Sequence, residues 1–358
     1  MALLTDACPS PPEGPPPAAP RRRGFRRYAA RRALLMAPTF LGITLVTFVL
    51  CQCVPGGPVD RLRLQLAGGE DGGGRVELRI TDKQFEALDA YYGFDKPILA
   101  RYAEYLWNVV RLDLGDSFRY TMPVIDLIAR RLPVSIFYGI VTVILAYGIC
   151  IPLGILKAIR HRTLLDGATS ALIFLGYAVP GFALGGVLLA VCAVEHDWLP
   201  IGGFASEGFA ELSVSGKIAD VARHAVLPVA CYAVGLFAVM TMLVKNSLLE
   251  QMGADYVRTA LAKGLTWRRA VFVHALRNAL IPLATSAGSV LLIFLTGSML
   301  IERVFNIPGI GLLSYEAVTQ RDYPVVMGLV VISSALMLLG HLLSDLCVAA
   351  VDPRVRFE

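Results

Sequence analysis

The nucleophilic, acidic and metal-binding side chains of this 358-residue chain are not spaced for any recognisable bond-making chemistry. It has no G-x-x-x-x-G-K-[ST] loop to cradle phosphates, no H-E-x-x-H, no G-x-S-x-G and no Cys/His set at metal-ligand spacing. The histidines (His161, His196, His224, His274 and His341) are scattered, and His341 is expected to pair structurally with Asp345 one helical turn away, with a proton relay as the second reading. Cys8, Cys51, Cys53, Cys150, Cys192, Cys231 and Cys347 fall mostly in apolar stretches and read as small packing residues. What remains is the chemistry of docking, concentrated in residues 245–278. There a helix ends near Gly253, a short one runs from Asp255 to Lys263, and Gly264 supplies a left-handed turn. Thr266 then caps a helix running through His274 toward Pro282. Tyr256, Ala260 and Lys263 share one face of the short helix, where small Ala260 lets the face enter a groove amid basic residues.

The elements that must position this loop are apolar. Charged residues make up 17% of the chain, against roughly 25% in soluble domains, and mean hydropathy is +0.61. That excess excludes a disordered regulator and argues against a water-soluble enzyme. Six stretches, 33–53, 133–156, 167–194, 225–244, 279–301 and 325–349, reach the length of about 20 residues that a transmembrane helix needs. Asp345 is the one formal charge inside them. An all-α integral membrane protein with six transmembrane helices follows.

Basic residues set the orientation. Arg21, Arg22, Arg23, Arg26, Arg27, Arg31 and Arg32 precede the first span; Lys157, Arg160 and Arg162 follow the second. Lys245, Arg258, Lys263, Arg268, Arg269 and Arg277 follow the fourth, whereas the loops 195–223 and 302–324 carry four basic and eight acidic residues. Both termini are therefore expected in the cytoplasm, and the long segment 54–132 outside by parity. The net charge of +5 reports orientation and implies no nucleic-acid partner. The N-terminal arginines are placed to meet anionic headgroups of the lipid bilayer.

Residues 1–27 form a Pro/Arg-rich cytoplasmic tail expected to be disordered, 28–53 the first span, 54–132 the external segment, 133–349 the core and 350–358 a cytoplasmic tail. In the external segment, VPGGPVD marks a turn, 76–80 alternates like a strand, and a helix runs from just after Thr81 to Gly93. A second helix opens at Pro97 with the stripe Ile98, Tyr102, Tyr105, Leu106, Val109 and Val110, which either lies on the membrane or packs on the rest of the segment. Residues 124–131 make a short amphipathic run into the second span. The third span, at 28 residues, would measure about 42 Å against a core of about 30 Å, so it tilts or breaks, most naturally at Pro180-Gly181. Gly181 and Gly185 form a G-x-x-x-G pair suited to close helix packing, and a kink there has a second reading as part of a translocation path.

The 245–278 loop resembles the coupling motif of ATP-binding-cassette importer permeases. That consensus begins Glu-Ala-Ala, has Gly four residues after the second Ala, and ends near Ile-Pro. Here Arg258, Thr259, Ala260, Gly264 and Ile281-Pro282 take those places. The Arg-Thr-Ala start resembles the oligopeptide/dipeptide/nickel branch. RRALLMAPTFLGITLVTFVL, YYGFDKPILARYAEYLWNVVRLDLGDSF, RRLPVSI, IERVFNIPGIGLLSYEAVTQRDYPVVMG and LLSDLCVAAVDPRVRF extend the resemblance from Tyr28 to Phe357. Gly57 in the turn and GLLSYEAVTQRDYPV are most similar to a Yej-type subgroup linked to peptide and microcin C uptake.

The resemblance implies a type I importer permease fold in the bacterial inner membrane, with a periplasmic insertion between helices 1 and 2. Partners implied are a second homologous permease, two ATPase subunits or one fused ATPase, and a periplasmic substrate-binding protein. ATP and Mg would be used by the ATPase; no cofactor is expected on this chain, which makes or breaks no bond. Arg258, Thr259, Ala260, Lys263 and Gly264 would form the ATPase-coupling segment. Nickel is an alternative cargo within the same family. A membrane-embedded enzyme is disfavoured by the missing nucleophile and metal motifs, and a self-powered carrier by the scarcity of intramembrane charge.

Overall fold

The computed structural model describes residues 22–53, 97–286 and 297–351. The expected turn, strand and helix within 54–96, much of the fifth span and most of both tails lie outside the described residues, whereas residues 22–27, expected in a disordered tail, are already helical at the start of the first helix. Along the chain come α1 (Arg22–Cys53), α2 (Ile98–Val110), α3 (Val124–Ile159), α4 (Leu164–Ala178) and α5 (Gly181–Leu188), the last running on through a π-helical stretch, Leu189–Glu195. Then follow α6 (Val214–Met252), α7 (Asp255–Ala262) and α8 (Trp267–Arg269), which passes through the π-helical Ala270–Ala275 into α9 (Leu276–Ala279). The chain closes with α10 (Met299–Val304), α11 (Ile310–Thr319) and α12 (Tyr323–Val351).

Among the described residues, α1, α3, α6 and α12 are long and apolar enough to cross a membrane, and α4 with α5, bent by 92°, reaches that length and composition as a pair. Two of these helices outrun their apolar stretches. At 36 and 39 residues, α3 and α6 extend about 54 and 58 Å at 1.5 Å per residue. The run 124–131 is therefore not a separate element: it is the first two turns of α3, and Pro133 is accommodated inside the same helix. Their two ends differ in charge. One end, which we call the basic end, carries the 160–163 loop and the 253–266 loop; the far end carries residues 112–123, 196–213 and 297–322.

α3 and α6 pack against each other along their length. The buried face of α3 is small or polar (Ser135, Gly139, Thr142, Ala146, Cys150, Gly154), which lets the backbones approach where a bilayer offers little hydrophobic drive. At Gly154 an added Cβ would stand 2.7 Å from the Val244 Cβ and 2.9 Å from the Thr241 carbonyl. Tyr138 and Tyr232 continue the seam toward the far end, with ring centroids 6.2 Å apart.

α1 packs on α12. At its basic end Arg32 lies 2.9 Å from Asp345, so the partner of Asp345 is an arginine of α1, just ahead of the first apolar stretch, where the sequence pointed to His341. Of the two expected positions α2 shows the second, packing on the described part of the external segment, where its Val109 clusters with Leu114 and Val124, and it rests on the first span as well. Tyr102 donates to the Leu41 carbonyl at 2.9 Å, and the rings of Tyr102 and Tyr105 lie on Phe48, so its stripe rests on the first span. Ile98 and Val110, counted in that stripe, are exposed.

The far end is closed by two buried carboxylates. Asp322 accepts from the Ser117 hydroxyl (2.6 Å) and from the Phe118 and Arg119 amides (both 3.2 Å), fastening the 112–123 strap to the start of α12. Glu302, on α10, accepts from the Leu312 amide at 2.7 Å and the Tyr232 hydroxyl at 3.2 Å. Gly297, Gly309 and Gly311 crowd this region: a Cβ on Gly297 or Gly309 would clash with the Glu302 carboxylate, and one on Gly311 with the Ser298–Met299 backbone.

Candidate functional site

The docking loop has the layout its sequence implies. α6 ends at Met252, and α7 begins at Asp255 with an acidic residue in its first turn, where the helix dipole favours negative charge. Past Lys263 the chain makes a full Schellman ending: Gly264 N–H donates to the Leu261 carbonyl (2.9 Å) and Leu265 N–H to that of Ala260 (3.2 Å). Gly264 sits at φ +90°, the left-handed region where a side chain is disfavoured. Thr266 holds the extended N-cap position of α8, but its hydroxyl makes no capping hydrogen bond, so the expected cap is one of backbone geometry alone.

A single side chain seats α7. Val257 is buried among Ala158 of α3, Leu248 and Leu249 of α6, and Ala270 and Val271 of the following π-helical stretch. Arg258, Thr259, Lys263 and Gly264 are exposed and Ala260 is half-buried, so the predicted set falls on one helix and its turn, turned outward. Arg258 is held loosely by Asp255 at 3.5 Å, and Tyr256 donates to the Gln251 side chain at 2.8 Å. α7 therefore presents cationic and hydroxyl groups on a short rod fixed to the ends of α3 and α6. Such a surface can bind and push.

Beside this seat lies a buried charge cluster that the sequence did not reveal. Lys245 of α6 donates to both carboxylate oxygens of Asp166, at 2.7 and 2.8 Å. Lys157 of α3 donates to the Asp166 carbonyl (2.8 Å), to Thr169 (2.7 Å) and to Ser170 (2.7 Å), and lies 3.1 Å from the Asp166 carboxylate. The Arg162 amide, at φ +63°, completes the cradle at 3.2 Å. In the sequence both lysines count only as loop charges that set orientation. Their positions, abutting the ends of apolar stretches, were the available signal.

Pro180 and Gly181 lie at the break between α4 and α5, which meet at 92°. Val179 and Pro180 are both extended, as expected where a proline ring disfavours helix for the preceding residue and has no N–H to continue the ladder. The glycine pair permits close approach on the outer half: a Cβ on Gly181 would stand 2.7 Å from the Cys231 carbonyl of α6, and one on Gly185 3.0 Å from the Phe305 ring. The break and the docking loop are thus not adjacent; α4 runs between them.

A family model, the binding-protein-dependent transport system inner membrane component, matches residues 150–357. The chain is 40% identical to the peptidoglycan transport system permease protein YejB of Agrobacterium fabrum, over 92% of this chain and 98% of that protein. It is 38% identical to the inner membrane ABC transporter permease protein YejB of Escherichia coli O157:H7 (92% and 99%), and 34% identical to the dipeptide transport system permease protein DppB of Escherichia coli K12 (93% and 99%). A similar solved structure is the inward-facing MetNI methionine ABC transporter, at 19% identity and a TM-score of 0.48, covering 64% of this chain and 97% of that one. With a matched segment that contains α4 to α12 and relatives aligned over nine-tenths of its length, this multi-pass inner-membrane chain belongs to the family of binding-protein-dependent transport system inner membrane components.

Proposed function

We propose that the chain is the permease subunit of an ATP-binding-cassette importer that moves peptides from the periplasm to the cytoplasm. The observation that carries this reading is α7: a docking rod with one buried anchor, Val257, and an outward face of Arg258, Thr259 and Lys263. The relatives' names, which speak of dipeptides and peptidoglycan, support a peptide cargo.

In this reading the basic end and both termini face the cytoplasm. Two ATPase subunits, or one fused ATPase, grip α7 of this chain and the equivalent helix of a second permease, and a periplasmic binding protein delivers cargo at the far end. ATP and Mg are held and used by the ATPase. Force enters at Arg258, Thr259, Ala260, Lys263 and Gly264, passes through Val257 into the α3–α6 pair, and rocks that pair as a body, since their close seam leaves no room to slide. The break at Pro180-Gly181 lines the path as the pivot. The chain contributes shape and leverage, and no bond is made or broken on it.

Uptake of tritiated trialanine into proteoliposomes holding the assembled complex tests the proposal. ATP-dependent accumulation that requires the binding protein is expected. Accumulation that survives without ATP but collapses with the proton gradient would replace the importer with a self-powered carrier. Competition by Ni²⁺ but not by peptides would change the cargo.

A further inference from the structure

The geometry points to Asp166 as a positioning residue that makes the basic-end half of the broken third span move together with the docking helix. This inference deepens the importer reading and rests on it for its consequence in transport. Asp166 is in the first turn of α4, whose Thr163 N-cap accepts from its amide at 3.4 Å. Its carboxylate and carbonyl are gripped by Lys157 and Lys245, one from each helix of the α3–α6 pair. Lys157 directly precedes Ala158, and Lys245 lies one turn before Leu248; both neighbours belong to the cluster that buries Val257. The helix turns that seat α7 are therefore the ones that hold α4.

The chemistry of the clamp fits transmission better than cohesion. Two ammonium groups and one carboxylate are withdrawn from water, an arrangement that apolar packing of similar volume usually matches or exceeds in stability. What apolar packing lacks is direction. Lys157 reaches four acceptors on one face of α4, at Asp166, Thr169 and Ser170, which fixes rotation and axial register as well as distance. At the other side of the 92° break, α5 is fastened by close approach and not by charge: Gly181 lies on the Cys231 carbonyl, farther along the same α6, and Gly185 on Phe305 of the far-end cap. The clamp thus carries displacement from α7 into α4 at the basic end.

The test uses the assembled complex and the triple variant Lys157→Met/Asp166→Asn/Lys245→Met, which leaves no buried charge unpaired. Its assembly and ATP hydrolysis are expected within about twofold of wild type, with trialanine uptake per ATP lowered at least tenfold. Spin labels at exposed Leu172 on α4 and Phe272 beside the docking loop read the motion itself. In wild type this first pair should keep its separation on ATP binding, and in the triple variant it should broaden; a second pair, Leu172 and Val187, reads the angle across the break. Unchanged uptake per ATP with an unchanged first pair overturns the inference. So does a triple variant that fails to assemble, since the cluster would then serve folding alone. A wild-type complex that keeps the first pair rigid and hydrolyses ATP but moves no peptide overturns the importer reading and leaves the clamp standing.

Discussion

Gly154 and Val244 face each other across the α3–α6 seam so closely that a Cβ on the glycine would come within 2.7 Å of the valine's own Cβ. That contact lies one turn from Lys157 and next to Lys245, so it sets the spacing on which the buried cluster and the Val257 seat both depend. Gly154→Val would have to push two backbones apart, because the nearby Thr241 carbonyl, at 2.9 Å from the added carbon, cannot swing away as a side-chain tip can. Overpacking of this kind costs about 1–3 kcal/mol. The expected result is a lower melting temperature in detergent and loss of uptake, read by thermal unfolding and by trialanine transport. Val244→Ala in the same chain should restore part of both.

Gly264 makes a different prediction, because no atom lies within 4 Å of where its Cβ would be. The constraint is conformational: φ is +90°, and a β-branched residue there is strained by about 1–2 kcal/mol. Gly264→Val should leave membrane insertion and the α3–α6 body intact while unwinding the Schellman ending of α7. Copurification of the ATPase should weaken and uptake fall. Gly264→Asn, whose short amide tolerates the left-handed region, should retain most of both. Equal loss in the two variants would point to a steric contact with the partner instead of to the turn.

These two glycines also mark what sequence reasoning can reach. Gly264 was legible because a local signal, glycine between two short helical patterns, dictates a local conformation. The apolar stretches were legible for a similar reason: bilayer thickness fixes their length. Gly154 was not, since its role depends on a residue 90 positions away. Lys157 and Lys245 count in the sequence only as loop charges that set orientation, because α3 and α6 continue past the apolar stretches, and nothing in either stretch says that a third helix, bearing Asp166, will cover those ends. Val257 was hidden for the same reason. The bend at Pro180 was foreseen from length and proline chemistry, but its size reflects how α5 is pinned by Cys231 and Phe305.

That pinning is testable at Gly181. A side chain there meets the Cys231 carbonyl, part of the α6 backbone, at 2.7 Å. Gly181→Leu should lift α5 from α6 and change the angle at the break, whereas Gly186→Leu, at a position with nothing within 4 Å, should not. Spin labels at Leu172 and Val187 would report the angle, and trialanine uptake its consequence. Loss of uptake is expected for the first variant and near-normal uptake for the second.

Glu302 predicts a pH dependence. It sits just beyond the fifth span with about 1% of its surface exposed, and burial pushes its carboxyl from 4.5 up to about 7, while hydrogen bonds from Leu312 and Tyr232 work in the opposite direction. A group whose value is raised on folding binds more protons in the folded state. Its contribution is fully present below pH 4.5 and is lost as pH rises toward about 7, on the order of 3 kcal/mol in all. Glu302→Gln keeps acceptor and shape but cannot ionise, so the difference in melting temperature between it and wild type should move in the variant's favour across that interval. Glu302→Leu, by contrast, strands the buried Leu312 amide at a cost of about 1–3 kcal/mol and should destabilise the far-end cap at every pH. A wild-type and Glu302→Gln pair with parallel pH profiles would mean that the donors hold the carboxylate ionised throughout.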